Sequence, residues 1–437
     1  MKHRVTPFVV GLAMLAAPMF ARGEAAPKPA MRDFMGMCVH TVQFKPELYK
    51  DVCRLVRDYH GLTWDVGKET DFWPTFPFAR NRVNWETMYR SWTDAGYAIS
   101  ASIMFSGLGA GDWVDPARDA NTYGFALARF FGPGNRNLIE AVEIGNEPGD
   151  YPDAAYRTIF ENMARGIRAG DPQVKVATCA MTVGESEKYA KSVDCVKGLE
   201  DLYDVINFHS YAEVQGWPTW RRSFPEDPGI DFLKKARAII DWRNGNAPGK
   251  QIWITEFGWD ATTKPAPKEG TFKDWVGSTE LEQARYLVRA YLVFSAMDLD
   301  RAYMYWFNDE DTPHVHGSSG LTRNYQPKPS YYAVSHLYKT LGDYHFSRVV
   351  TEKPGDLYVY EYAKRTDPKE KVQVVWSPTG SGRAVKKTLM TGANPYRAER
   401  MPLTAQGPES VPVVSDEAGM VSLTCDESPV YLWLRTE

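Results

Sequence analysis

From residue 34 to residue 341 the chain alternates, eight times over, a short run rich in β-branched and aromatic residues with a run at helical spacing. Parallel strands need crossover connections, and a helix folded back on the sheet is the connection that buries its own apolar stripe. Eight such units in succession predict a (β/α)8 TIM barrel, a sheet closed on itself under a shell of helices. The pattern places strands at 34–40, 62–66, 97–105, 174–180, 205–211 and 301–308, with a fourth running into Glu147 and a seventh running into Glu256. Helices are expected at 47–59, 84–95, 122–131, 154–169, 185–202, 230–243, 279–297 and 330–341. The stripe is clearest over 154–169, where Tyr156, Ile159, Phe160, Met163 and Ile167 share a face and Gly170 follows the end. From residue 343 the texture changes to short alternating runs between turn clusters, which predicts a small C-terminal β-sandwich over 343–437 after a barrel over 33–342. A packing buttress for the barrel is the role expected of it, beside glycan binding.

Two stretches drive an apolar run straight into a glutamate. AVEIGNEP, residues 141–148, sets Ala141, Val142 and Ile144 before Asn146 and Glu147, and Pro148 ends any ladder. QIWITEFGW, residues 251–259, repeats the build around Glu256. Taken singly, each is as consistent with a solvated strand exit as with a site. On strands four and seven of a barrel, whose functional rim is formed by the C-terminal strand ends, they converge on one mouth. Paired carboxylates suit cleavage of a glycosidic bond, because one protonates the leaving oxygen while the other stabilises or attacks an oxocarbenium-like centre. Strand six, VINFHSY, brings His209 and Tyr211 to the same rim, and strand eight brings Trp306.

Gly145-Asn146-Glu147-Pro148, the FHSY of strand six and Trp253 to Trp259 (WITEFGW) together resemble glycoside hydrolase clan A across residues 33–342, and YRTIFENMARGIRAGDPQVKV after strand four is similar to family 39 and its near relatives. The resemblance implies a retaining β-glycosidase with Glu147 as acid/base, Asn146 as partner of the sugar 2-hydroxyl and Glu256 as nucleophile. It implies that Tyr211, with His209, hydrogen-bonds the nucleophile or its neighbour, and that Trp306 is the floor beneath the sugar. Many clan members carry an arginine at the end of strand two. Here LTWDV puts Trp64 and Asp65 in that place, as residues of the sugar subsite. Either Arg80 or Arg82 swings in from the next loop, or the nucleophile is held differently.

Trp73, Trp113, Trp217, Trp220 and Trp259 fall in rim loops, where an indole either stacks on the CH-rich face of a pyranose or packs the core. His209 has an equally plain reading as a core histidine bonded to backbone. His314 and His316 flank Val315 after strand eight; no third ligand accompanies them, so a solvated or substrate-facing loop is expected over a metal pair. No metal and no cofactor is expected. Arg80, Arg82, Arg221 and Arg222 leave an acidic or sulfated glycan open beside ordinary surface charge.

The opening MKHR and the apolar run after it have the build of a signal peptide over 1–25, with cleavage after Ala21, Ala25 or Ala26, so a secreted or periplasmic chain is expected. No later segment is long and apolar enough to span a bilayer. The formal charge of −4 becomes −6 without Lys2, Arg4, Arg22 and Glu24, which argues against a nucleic-acid partner and leaves a carbohydrate as the expected one, met by a monomer. Cys38, Cys53, Cys179, Cys195 and Cys425 either form up to two bridges or serve as small buried residues, and their spacing matches no zinc motif. The competing readings are a non-catalytic carbohydrate-binding barrel and a transglycosylase that uses the same two glutamates.

Overall fold

The computed structural model describes residues 28–416 and 420–436; the leader expected over 1–25 lies outside them. Eight parallel strands pair in chain order: β1 Met35–Val39, β2 Leu55–Gly61, β3 Ala98–Met104, β4 Ala141–Ile144, β5 Lys175–Thr182, β6 Val205–His209, β7 Gln251–Phe257 and β8 Arg301–Met304. β8 pairs back onto β1, Ala302 opposite Met35, and the barrel is closed. Six longer helices cover it: α1 Trp85–Asp94, α2 Pro116–Phe131, α3 Asp153–Gly170, α4 Phe232–Asn246, α5 Glu280–Ala296 and α6 Pro329–Leu341. Three of these helices, α1, α2 and α5, start on capping residues. Asn84 accepts from the Thr87 amide at 3.0 Å and Asp115 from the Arg118 amide at 3.1 Å, which begins α2 at Pro116, ahead of the helix expected from 122. Thr279 and Glu282 close a reciprocal box at the head of α5.

Three segments depart from the periodicity. Residues 47–59 are not a helix: Pro46–Tyr49 makes one turn, and β2 occupies 55–61. Leu48, Val52, Leu55 and Val56 mimic a helical stripe, but the strand that follows turns Arg57 and Tyr59 into the barrel and Asp58 and His60 toward α1. Its polar filling erases the apolar run that usually marks a parallel strand. The expected second strand, 62–66, is a single helical turn. Residues 185–202 likewise form no α-helix: Lys191–Ser192 pairs with the end of β5 as a two-residue strand and the 3-10 turns Val193–Val196 and Glu200–Leu202 follow, with Lys191 drawn inward by acceptors in the loop after β4.

Beyond the barrel, β9 Tyr344–Lys353, β10 Leu357–Lys364, β11 Glu370–Trp376, β12 Val385–Met390, β13 Arg397–Arg400, β14 Met420–Cys425 and β15 Val430–Arg435 form two antiparallel sheets. Alternation along β10 divides its side chains. Leu357 and Val359 meet Leu389 and Leu423 of the opposite sheet, whereas Tyr358, Tyr360 and Tyr362 join the barrel's own core. All five cysteines are free and buried, so the bridges held open above do not form and the plain packing role remains. Among the described residues no helix is long and apolar enough to cross a membrane.

The two units meet on a buried ion network. Arg289 of α5 donates to both oxygens of Glu226, in the loop after β6, and reaches Glu427 of the sandwich at 3.3 Å; Trp376 Nε1 donates to Glu226 at 2.6 Å. Arg289→Met would leave two carboxylates enclosed without their cation, a change that costs about 3–5 kcal/mol when one partner of a buried pair is removed. Urea denaturation is the measurement, and a midpoint equal to that of the parent chain would show the network to be dispensable.

Candidate active site

At the end of β4, Gly145 turns the backbone with φ +83°, where a Cβ would also press on Pro148 and Phe105 at 3.3 and 3.4 Å. The turn sets Asn146 and Glu147 over the barrel mouth, with the Glu147 side chain 25% exposed. His209, ending β6, places Nδ1 2.8 Å from Glu147 Oε1 and Nε2 3.1 Å from Thr255 Oγ1. The Thr255 hydroxyl donates to Asn207 Oδ1, so Thr255 accepts from His209 Nε2–H. With that proton fixed, Nδ1 either accepts from a protonated Glu147 or, as imidazolium, donates to its carboxylate. Burial opposes the charged ring, yet the carboxylates of Glu256 and Glu147 outweigh it and raise the His209 pKa.

Glu256, near the end of β7, is held from three sides. Arg57 Nη1 and the Tyr59 hydroxyl donate to Oε1 at 3.1 and 2.6 Å, and the Tyr211 hydroxyl donates to Oε2 at 2.8 Å. Burial pushes this carboxyl up, but His209, Arg57 and the two phenols more than reverse it, and its pKa lies well below the usual carboxylate range. Glu256 is an anion whose lone pairs are already directed. One oxygen from Glu147 and one from Glu256 lie within 4.8 Å of one another, with a His209 nitrogen inside the same limit. That trio has the residue types of a metal site. The fixed guanidinium 3.1 Å from Glu256 and the donors saturating it suit a hydrogen-bonded pair of acids instead.

Arg57 is the residue that sequence reasoning missed. Its Nε and Nη2 clamp both oxygens of Glu143 at 2.7 Å, and Nη2 also donates to Asn146 Oδ1 at 2.7 Å. One guanidinium thus ties β2 to β4, β7 and the asparagine beside Glu147. Strand two therefore does carry an arginine, in its first half and seven residues ahead of Trp64 in LTWDV. Its signal was the two-residue alternation Arg57, Tyr59 within LVRDYHG.

A cavity of about 350 Å³ opens over these groups, lined by His40, Tyr59, Met104, Asn146, Glu147, Glu256, Tyr305, Trp306 and His316. The Tyr305–Trp306 peptide is cis, and the two rings stack at 5.4 Å. No protein-family model matches the sequence, and no curated protein is similar to it. Solved structures do match. A family 39 glycoside hydrolase from Bacteroides cellulosilyticus WH2 aligns with a TM-score of 0.70 and 16% identity over 93% of this chain and 82% of that one. A glucosidase from Croceicoccus marinus gives 0.64 and 13% over 94% and 98%. The catalytic domain of GH30 xylanase C from Talaromyces cellulolyticus gives 0.60 and 13% over 94% and 98%. The chain has the glycoside hydrolase barrel fold.

Within that fold the structure gathers Glu147, Glu256, Asn146, His209, Tyr211 and Trp306 at one mouth and leaves three expected residues out. Trp64 is half-buried and stacks on Trp85 at 5.9 Å rather than lining the cavity. Asp65 is buried, accepting from Trp85 Nε1 and the Tyr123 hydroxyl at 2.7 Å each and meeting His60 at 2.8 Å. Both moved because strand two ends at Gly61, before them. Trp259 is fully enclosed between Phe232 and Tyr286 and donates to the Ser223 carbonyl, so it offers no face to a sugar.

Neither loop arginine reaches Glu256: Arg80 pairs with Glu69 at 2.7 Å, and Arg82 is exposed. Arg222 is buried over the Tyr211 ring and paired with Asp260 at 3.0 Å. The two loop histidines part company. His316 packs edge-on against Tyr211 and Tyr305 at the cavity wall, its pKa lowered by burial and by Arg222, while His314 stacks on Phe272. Trp113 is buried, and Trp73 lies against Phe125 of α2.

Proposed function

We propose that the chain is a glycoside hydrolase that cleaves β-linked polysaccharide or oligosaccharide by double displacement, with Glu256 as nucleophile and Glu147 as acid/base. The observation that carries this reading is the pair of acids whose oxygens approach within 4.8 Å while their surroundings differ. Glu256 is fixed as an anion by Arg57, Tyr59 and Tyr211, and Glu147 shares a proton position with His209. So close an approach favours direct attack with retention, since an inverting route needs carboxyls about 6.5–9.5 Å apart to admit a water. In the first step a Glu256 oxygen bonds to the anomeric carbon as the glycosidic bond breaks, and Glu147 gives its proton to the departing oxygen. In the second, Glu147 takes a proton from water, the water oxygen bonds to the anomeric carbon, and Glu256 leaves as carboxylate.

Asn146 supports this scheme. With Oδ1 held by Arg57, its amide nitrogen is the end turned away from the guanidinium and suited to a sugar hydroxyl. Among the described residues no lysine or arginine lines the cavity, and Arg222 is already paired, so a neutral sugar fits the cleavage point better than an acidic one. Export by the leader over 1–25 belongs to the same proposal and rests on its charged start and apolar centre.

Glu147→Ala separates the roles. Its kcat/KM should fall about 10²–10⁴-fold on glycosides with poor leaving groups, the range general acid catalysis supplies, and far less on dinitrophenyl glycosides, which depart unaided. A series of aryl glycosides measures this, and an equal loss across the series would remove Glu147 from the acid role.

A further inference from the structure

We infer that the loop after β5 builds a leaving-group subsite with Tyr189 as its platform, so that the bond cut here joins two sugar units; the inference rests on the acid/base reading of Glu147. A second cavity, also about 350 Å³, adjoins the first and shares Met104, Asn146 and Glu147 with it. Glu256 borders only the first cavity, so the second lies on the acid's side, where a departing group must sit. It is also lined by Lys188, Tyr189 and Asp150.

Tyr189 is 57% exposed. An isolated exposed aromatic is ordinary, but this one stands on a segment that is pinned where it is. Lys191, only 2% exposed, sends its ammonium to the carbonyls of Gly149 and Tyr151 and to Asp153 at 3.2 Å. Gly149 has no room for a side chain, since a Cβ would fall 1.7 Å from the Lys188 carbonyl oxygen. Ser186 donates to Asp153 at 2.8 Å and accepts from the Ser192 amide at 2.8 Å. The loop after β5 is therefore fastened to the loop that bears Glu147, and the phenol ring is held open instead of being folded away. Lys188 Nζ lies 4.9 Å over that ring. A ring fixed in advance, with an ammonium donor and the Asp150 carboxylate acceptor beside it, matches a sugar, which has a CH-rich face and hydroxyls that both donate and accept. An alkyl or aryl group uses the ring and leaves both charges unanswered.

The test compares β-glycosyl fluorides of gluco, xylo, galacto and manno configuration with β-linked oligosaccharides of the same sugars, using the full chain. Fluoride places nothing in the second cavity. For a sugar whose fluoride is turned over, Tyr189→Ala should lower the ratio of kcat/KM on oligosaccharide to kcat/KM on fluoride about five- to tenfold, the size of one lost ring stack. Tyr189→Phe, which keeps the ring, should hold the ratio within about twofold of the parent. A ratio unmoved by Tyr189→Ala overturns the subsite, as does a parent chain that hydrolyses a fluoride but none of the oligosaccharides. A parent chain that hydrolyses no fluoride overturns instead the glycosidase reading beneath it.

Discussion

Replacing Glu256 by Gln is expected to give a folded chain whose turnover is lower by about 10⁴-fold or more, the loss that follows when a nucleophile is removed from a covalent route. The amide has the shape of the acid, and Arg57 keeps its two-point grip on Glu143, so the barrel should survive the exchange. A sharper form of the experiment uses Glu256→Ala with azide. The small anion enters from the vacated side and yields a glycosyl azide of the opposite anomeric configuration to the substrate. Undiminished hydrolysis by Glu256→Gln, or an azide adduct of retained configuration from Glu256→Ala, would take the nucleophile's role away from this residue.

The second large effect belongs to Arg57. Arg57→Met would strand Glu143, which is 1% exposed, as an uncompensated buried charge and would remove a donor and a positive charge from Glu256. A destabilisation of about 3–5 kcal/mol is expected from the first loss alone, and activity should fall with it because the Glu256 pKa would rise. Adding Glu143→Met should return much of the stability and little of the activity. A double-mutant cycle in urea reads the coupling. A single variant as stable as the parent would show that the guanidinium is not needed to hold Glu143.

The architecture was legible because strands and helices alternate with caps such as Asn84 and Thr279 at the right places. Glu147 and Glu256 were legible because each ends an apolar strand beside a turn residue. Arg57 was hidden by its location. A strand whose inward residues are Arg57 and Tyr59 lacks the apolar run by which buried parallel strands are recognised, and the four apolar residues ahead of Arg57 imitated a helix. That slip displaced strand two onto LTWDV and put Trp64 and Asp65 at the mouth, whereas neither lines the cavity there. Trp259 misled for another reason: indoles near a rim pack inward as readily as outward, and only the positions of Phe232 and Tyr286 decide it. Tyr189 had no signal in periodicity, since its exposure comes from Lys191 and Gly149 acting across two loops.

The ion cluster of Arg289, Glu226 and Glu427 also bears on how such a chain can change its parts. Glu226 is in the same loop that, after β6, carries Tyr211 and Arg222, so the acid that receives the sandwich's Trp376 is contiguous with the wall of the cleft. A terminal module joined by a bare tether can be shed or traded between genes with little effect on its neighbour. Here trimming the chain after the barrel would uncover a guanidinium and an acid that were never meant for water together with a row of tyrosines. The two halves are therefore expected to have diverged as a unit.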